Sequence, residues 1–467
     1  MKRIQHILFL SLMFLLTACG EDRSDEFYAL IEDRMWIEEV MREKYLWYDQ
    51  LPEKKDDDYF TSVESFFKSL LYKGALDGKG DNYSYVEMLD TEEARARAMT
   101  LNRTSTYGME FELLSDPLKK STRTYARILY VLPDSPADKA GIKRGDWISA
   151  IDNQKLNNKN YVQMMTGGNL ALSREAIVTA EDGKRTWQVV DTVSVSPSVN
   201  MEISPFFIDS IYETNGQRIA YFMYNEFATG PNNNASDFSY DEQMYAIFAN
   251  FKRQNPDAFI LDLRYNPGGY LSCAQTLGSL LAPADKLGET FTKLQFNDKS
   301  SPQSMDYPLL PEYADANLNL GKIYILTTRY TASASEAIIN GLIPLMGKEN
   351  VVLIGEKTEG KNVAMTAYQD ERFSFILWPV TAFVANGNGE GDYSTGFLPQ
   401  YELDERSMLE PWYPLGDTQE YYLKNTLSLI TEGRLSNEPE APEEEVQSIL
   451  STISTRTLDG CKINYPY

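Results

Sequence analysis

Ile323-Tyr324-Ile325-Leu326-Thr327 is followed, after a three-residue turn, by Thr331-Ala332-Ser333-Ala334-Ser335-Glu336-Ala337-Ile338-Ile339. The first run has the composition of a buried strand. The second sets a serine where that strand should turn into an apolar helix. A buried strand feeding a helix is the unit from which α/β sheets are built, and such sheets carry their sites at the strand ends. The unit recurs on either side. Ile219-Ala220-Tyr221-Phe222-Met223 reads as a strand, residues 240–254 as a helix, and Ala258-Phe259-Ile260-Leu261-Asp262-Leu263 as a strand. Val351-Val352-Leu353-Ile354-Gly355 reads as another. The sequence therefore predicts an α/β domain over residues 197–432.

Three segments of that domain carry chemistry. At the head of a helix, the Ser333 hydroxyl would project among free N–H groups and the positive end of the helix dipole, which favour developing negative charge. Ser-x-x-Glu before an apolar run is also a capping box, so Ser333 and Glu336 have a purely structural reading as well. Leu263-Arg264-Tyr265-Asn266-Pro267-Gly268-Gly269-Tyr270 ends a strand in a glycine turn. Gly268 and Gly269 would let the backbone approach a carbonyl and aim N–H donors at it, as an oxyanion hole requires; an ordinary Asn-Pro-Gly-Gly turn is the alternative. Gly355-Glu356-Lys357-Thr358-Glu359-Gly360-Lys361-Asn362 follows a third strand. Lys361 is a candidate base, although a lone loop lysine is commonly just a solvated charge.

The one histidine in the chain is His6. It lies in an N-terminal stretch with a basic start (Lys2, Arg3), an apolar run over residues 7–16 and then Leu16-Thr17-Ala18-Cys19-Gly20. That run is too short to cross a bilayer, which takes about 20 apolar residues. It reads as a lipoprotein signal over 1–18, cleaved before Cys19, with Cys19 acylated and 19–26 as a polar tether. A mature chain without histidine excludes a Ser-His-Asp triad. A lysine can serve as general base only when burial or a cationic neighbour keeps it neutral.

Removing residues 1–18 takes away two positive charges and no acid, so the formal charge of −24 becomes −26. Such a surface repels nucleic acid and anionic membrane, and neither is expected as a partner. Beyond Cys19 only Cys273 and Cys461 remain. Two distant thiols and no histidine make neither a disulfide framework nor a zinc site, and no metal or cofactor is expected. Asn386-Gly387-Asn388-Gly389-Glu390-Gly391-Asp392 is oxygen-rich, but it reads as a glycine-rich hairpin rather than a calcium loop.

At 467 residues the chain should form more than one domain. Residues 27–102 show apolar positions at three- and four-residue steps (Phe27, Leu30, Ile31, Val40, Met41; then Val63, Phe66, Phe67, Leu70) and predict a small helical domain. Residues 103–196 change to short strands and turns. There, Gly108-Met109-Glu110-Phe111, the strand 126–132, Ser135-Pro136-Ala137, Ala140-Gly141-Ile142 and Gly145-Asp146-Trp147-Ile148 together resemble a PDZ domain. Such a domain adds an extended peptide as a strand, and Gly108, Met109, Glu110 and Phe111 would supply the carboxylate loop and pocket. The polar stretch 113–124 is unusual for a PDZ domain and is expected to alter or cover that groove. Residues 433–467, opening with Asn437-Glu438-Pro439-Glu440-Ala441-Pro442-Glu443, read as a mobile tail.

Taken in this order, the segments resemble the C-terminal processing (tail-specific) proteases of peptidase family S41, serine endopeptidases of the Ser-Lys type. The resemblance extends to Gly396-Phe397-Leu398-Pro399 and Glu405. It implies a multidomain α/β fold: a crotonase/ClpP-like α/β protease core, an inserted PDZ-like β-rich domain and a small N-terminal helical domain. It implies Ser333 as nucleophile, Lys361 as the base that returns the proton to the leaving amine, and backbone N–H groups of Ala334 and the Gly268-Gly269 turn as oxyanion hole. Glu336 would bind or orient the lysine, or only cap the helix. Polypeptides would be the substrates. The location is read from the lipid anchor instead: Gly20 after Cys19 does not resemble an inner-membrane retention signal, so the expectation is an outer-membrane lipoprotein facing periplasm or cell surface. The spacing from Ser333 to Lys361, 28 residues, is longer than usual, with the extra residues expected within 343–350. Lys357, Asn362 and Met365 stand where the family pattern has proline, glycine and a lysine-supporting glutamine. Those departures leave Lys357 as a weaker rival base and raise an alternative, a peptide-binding protein of the same fold with little or no turnover.

Overall fold

The computed structural model describes residues 24–74, 79–89, 103–231, 237–409, 411–436 and 447–453. The proposed signal, His6, Cys19 and Cys461 lie outside those residues. Six strands make the central sheet, in the order Phe206–Thr214, Gln217–Tyr224, Ala258–Asp262, Ile323–Thr327, Val351–Gly355 and Tyr401–Glu402. The first two form an antiparallel hairpin, whose turn residues Asn215 and Gly216 both have positive φ. That geometry matches the strand twist and is open to Asn-Gly at little cost. Each later neighbour is parallel.

Parallel strands covered on both faces are apolar throughout, which explains their unbroken hydrophobic runs. The helices Ser239–Gln254, Leu271–Leu281 and Ala334–Met346 bury Phe248, Leu277 and Ile338 with Phe222, Phe259 and Ile325 of the sheet. On the other face, Tyr421–Glu432 packs Tyr422 and Leu423 with Tyr221, Ile260 and Ile354.

The N-terminal segment builds a separate cluster with strands that follow the lysine loop. Its first helix runs Ser24–Lys44, beginning inside the stretch read as tether, and the second is Val63–Leu70. Ile37, Met41, Phe66 and Phe67 pack against Val363, Met365, Phe375 and Leu377. Tyr85–Met88 adds an antiparallel strand to Phe375–Trp378.

The PDZ-like part hangs from a two-stranded stalk. The chain enters it along Arg103–Thr106 and leaves along Val199–Glu202, and these pair antiparallel. Its main sheet runs Ser448–Ser451, Met109–Ser115, Thr124–Val131, Trp147–Ile151, Leu170–Thr179, Arg185–Val195. Two expectations fail here. Residues 113–124 do not cover the groove: they complete the strand to Ser115 and close its hairpin, with Asp116 bonded to the Arg123 carbonyl and accepting from Trp187 Nε1 at 2.9 Å. The segment that does lie on that edge comes from the stretch read as mobile tail, since Ser448–Ser451 pairs antiparallel with residues 112–114. Hydrophobic periodicity cannot be read in a strand of four residues beyond an acidic, proline-rich run.

A buried ion cluster locks the insertion to the core. Arg264, with no exposed surface, pairs with Asp262 at 2.7 Å and Glu420 at 2.8 Å. Arg144, from the PDZ-like part, reaches Tyr265 Oη at 2.7 Å and pairs with Glu405 and with Glu420 at 3.3 Å. Charges out of water are tolerated only with such mutual pairing. Burial pushes the Glu420 carboxyl up, but Arg264 and Arg144 together hold it below its ordinary value.

Candidate active site

The strand Ile323–Thr327 and the helix Ala334–Met346 are joined by a tight turn in which Ser333 has φ 61° and ψ −114°. A non-glycine residue in that region is strained and persists only when its neighbours fix it. Several do. Ala332 N–H donates to the Asn266 carbonyl at 3.2 Å, and Ser335 Oγ to the same oxygen at 3.0 Å. Thr331 Oγ1 donates to the Leu263 carbonyl at 2.8 Å. Ser333 is 2% exposed, and its Oγ makes no hydrogen bond among the described residues.

The glycine turn lies directly against this serine. A Cβ on Gly268 would fall 2.7 Å from Ser333 Cβ and 3.1 Å from Ala334 N, and Gly268 also has φ 110°. Only glycine satisfies both the space and the dihedral. Gly268 N–H, however, donates to Asn266 Oδ1 at 2.9 Å, and its carbonyl accepts from Phe227 N–H. Among the described residues the N–H groups of Gly269 and Ala334 have no protein acceptor. Of the three candidate oxyanion donors, these two are therefore uncommitted.

Lys361 is completely buried, with Nζ 5.0 Å from the centre of the Tyr83 ring. Tyr83 comes from the N-terminal segment, so three parts of the sequence meet here. Lys357, the rival, is exposed. Met365 is fully buried among apolar side chains that include Tyr45 and Phe375.

Glu336 joins the serine to the lysine. One oxygen, Oε2, accepts from Ser333 N–H at 3.0 Å and from Lys361 N–H at 2.7 Å. The other accepts from Thr358 Oγ1 at 2.6 Å and Gly360 N–H at 2.7 Å. The two readings of Glu336 thus coincide in one side chain, which bonds the backbone at the helix start and the backbone of the lysine loop. Burial pushes its carboxyl up to about 7, against the pull of those four donors.

Sequence reasoning passed over Asn266, Thr358 and Tyr83. Asn266 Nδ2 donates to the Tyr224 carbonyl at 2.8 Å while Oδ1 holds Gly268, so this residue sets the glycine turn. Its place two residues before Gly268 was a usable signal. Tyr83, one of 30 tyrosines, carried none. Among the described residues no group of acidic, cysteine or histidine side chains is arranged to hold a metal, and no helix is long and apolar enough to cross a membrane.

A solved structure from Bacteroides fragilis assigned to the S41 proteases is 33% identical, covers 85% of this chain and 97% of its own, and superposes with a TM-score of 0.73. The chain belongs to peptidase family S41. Residues 218–403 match Peptidase family S41, 34–85 the Peptidase S41 N-terminal domain, and 127–169 a PDZ domain. The S41 match takes in Ser333, Lys361, Glu336 and the Gly268-Gly269 turn. A carboxyl-terminal-processing protease of Picosynechococcus is 28% identical over 52% of this chain and 52% of that protein. A carboxy-terminal processing protease of Bacillus subtilis is 25% identical over 79% of this chain and 72% of that protein. The chain spans about half the length of the first of these relatives. As an S41 member it has the fold of a serine peptidase, with the PDZ domain inserted after the N-terminal domain.

Proposed function

We propose that this protein is a lipid-anchored serine endopeptidase that cuts unstructured or C-terminal segments of exported polypeptides by a Ser-Lys mechanism. The observation that carries the reading is the convergence of Ser333 N–H and Lys361 N–H on one Glu336 oxygen, beside a glycine that only a Cβ-free residue can be. In the proposed reaction Lys361 Nζ takes the proton from Ser333 Oγ as the oxygen attacks the scissile carbonyl carbon. Gly269 and Ala334 N–H groups receive the negative charge that develops on the carbonyl oxygen. As the C–N bond breaks, Lys361 returns the proton to the leaving amine, and water then releases the acyl group by the reverse transfer. Burial removes Lys361 from water, the condition a lysine base needs. Cys19, after Leu16-Thr17-Ala18, supports a lipid anchor on the outer membrane or cell surface.

Met365 at the place of a supporting glutamine favours a second reading, a peptide-binding protein with little turnover. One experiment separates them: an unfolded casein-like substrate and a fluorophosphonate probe, with protein lacking residues 1–19 beside Ser333→Ala and Lys361→Ala. Cleavage and labelling that vanish in both variants are the expected result. A folded parent that neither cleaves nor labels would replace the peptidase reading with the binding one.

A further inference from the structure

The strand Met109–Ser115 has one edge in the sheet, against Thr124–Val131, and on its other edge it carries part of its own chain. Ser115 N–H donates to the Gln447 carbonyl at 3.0 Å. Farther along, Thr452 Oγ1 accepts from Phe111 N–H at 3.0 Å and donates to the Phe111 carbonyl at 3.1 Å. A single hydroxyl thus does there what a partner strand's peptide group would do. The antiparallel pairing brings Ser448 opposite Leu114 and Ser451 opposite Glu112, so the segment runs toward Gly108. This is the manner in which a peptide adds to a sheet edge. The Gly108 N–H is already committed, donating to Thr106 Oγ1 at 2.9 Å.

Side chains distinguish this contact from a chance edge. Leu450 packs on the core of the PDZ domain beside Leu113, while Ile453 is fully buried in the cluster that holds Tyr130, Tyr265 and Tyr330. Beneath the segment lies Glu112, 1% exposed, 3.8 Å from Arg329 and facing the side chains of Ser448 and Tyr330. The Tyr330 hydroxyl also faces Ser451. Arg329 and Tyr330 belong to the turn that ends in Ser333. The segment therefore spans the PDZ edge and the loop that presents the serine. The contact is short: the strand is four residues long, Ile449 is exposed, and the ten residues before Gln447 are rich in acid and proline, the composition of a tether.

We propose that the outer edge of Met109–Ser115 is a polypeptide-binding site which the chain fills with its own residues 447–453, and that an extended, uncharged segment enters by displacing them. The occupant shows what the edge accepts: an aliphatic side chain against the PDZ core, small hydroxyl residues over Glu112, and a second aliphatic beside Tyr330. An acid at either serine position would be set against buried Glu112 and is rejected. Displacement uncovers Glu112 and Tyr330, so occupancy of the edge is felt at the Ser333 loop. The inference rests on the peptidase reading only in taking the incoming segment to be substrate, because its test is binding and not turnover.

The test uses the chain carrying Ser333→Ala and a labelled peptide with the sequence of residues 447–453, read by fluorescence anisotropy, together with amide exchange over residues 111–115. The Leu450→Asp/Ile453→Asp variant should bind the peptide at least 10-fold more tightly than its parent. Its 111–115 amides should exchange faster when free and recover protection with peptide. A peptide carrying aspartate at the Ser451 position should fail to bind. Thr452→Val, which removes only the hydroxyl at Phe111, should move both readouts in the same direction by a smaller factor and serves where the double variant does not fold. Equal binding by parent and variants, no binding by either variant, or unchanged exchange at 111–115 would each overturn the proposal. Loss of cleavage elsewhere in the molecule would leave these readouts untouched.

Discussion

At the scale of single residues, the site is a problem in holding Ser333 and Lys361 together. Glu336 accomplishes this with four accepted hydrogen bonds, three of them from backbone. In Glu336→Gln the amide presents donors to donors, and the lysine loop should shift. A displacement of about 1 Å at a reacting group costs roughly 100-fold in rate. The expected outcome is a fall of about that size in kcat, with KM little changed, measured on a peptide substrate. Glu336 also has a thermodynamic signature. The folded state holds its proton up to about 7, whereas the unfolded value is 4.5. Between those values the folded state binds more protons, so this group's contribution to stability declines as pH rises. The urea midpoint followed from pH 4.5 to 7 should show a shallower decline in Glu336→Gln than in the parent. Gly268→Ala should abolish cleavage, because its Cβ would overlap Ser333 Cβ; a variant with full activity would remove the turn from the site.

At the scale of elements, the position of Ser333 depends on where its helix sits. The helix Ala334–Met346 lies beside Leu271–Leu281, and the Phe291 ring is set against glycines on both: a Cβ on Gly341 would come 2.3 Å from the ring, and one on Gly278 2.9 Å. Overpacking a core of this density costs typically 1–3 kcal/mol. Gly341→Ala should therefore lower stability by about that amount in thermal or urea unfolding, with Gly278→Ala less affected. The strands on either side of this helix were legible from sequence because fully buried strands leave unbroken apolar runs, as at 323–327 and 351–355. The four-residue strand Ser448–Ser451 left no such trace. Its place is fixed by the outer edge of Met109–Ser115, which is distant in sequence from it, and by the bond of Thr452 to Phe111 on that edge.

For the molecule as a whole, the insertion is docked by charge as much as by apolar contact. Arg144 enters a buried cluster with Arg264, Asp262, Glu405 and Glu420. Removing one member leaves uncompensated charge, at about 3–5 kcal/mol. Arg144→Ala should lose stability of that order and expose the joint between the PDZ domain and the core to limited proteolysis. The cluster also sets the acid limit of the fold. Glu420 is held below its ordinary value, so its contribution is fully present above about 4.5 and is lost as pH falls through the lower folded value. Acid unfolding should accordingly begin below pH 4.5, and in Glu420→Gln that acid dependence should be reduced.

The sequence by itself determined the class of this protein. Buried strands and amphipathic helices write their periods into the chain, while Ser333, Lys361 and the Gly268-Gly269 turn stood out only through the joint resemblance of their segments to family S41. The glycine turn was even explicable, since a residue without Cβ reports a close approach before the approaching partner is known. Tertiary structure alone decided which backbone donors remain free beside Ser333, that Glu336 holds both halves of the site, that Tyr83 lies against the lysine, and that residues 447–453 close the PDZ edge. Each of these is a contact between segments far apart in the chain. Local propensity carries no record of such a contact, because its energy arises only when folding takes both partners out of water and brings them within bonding distance.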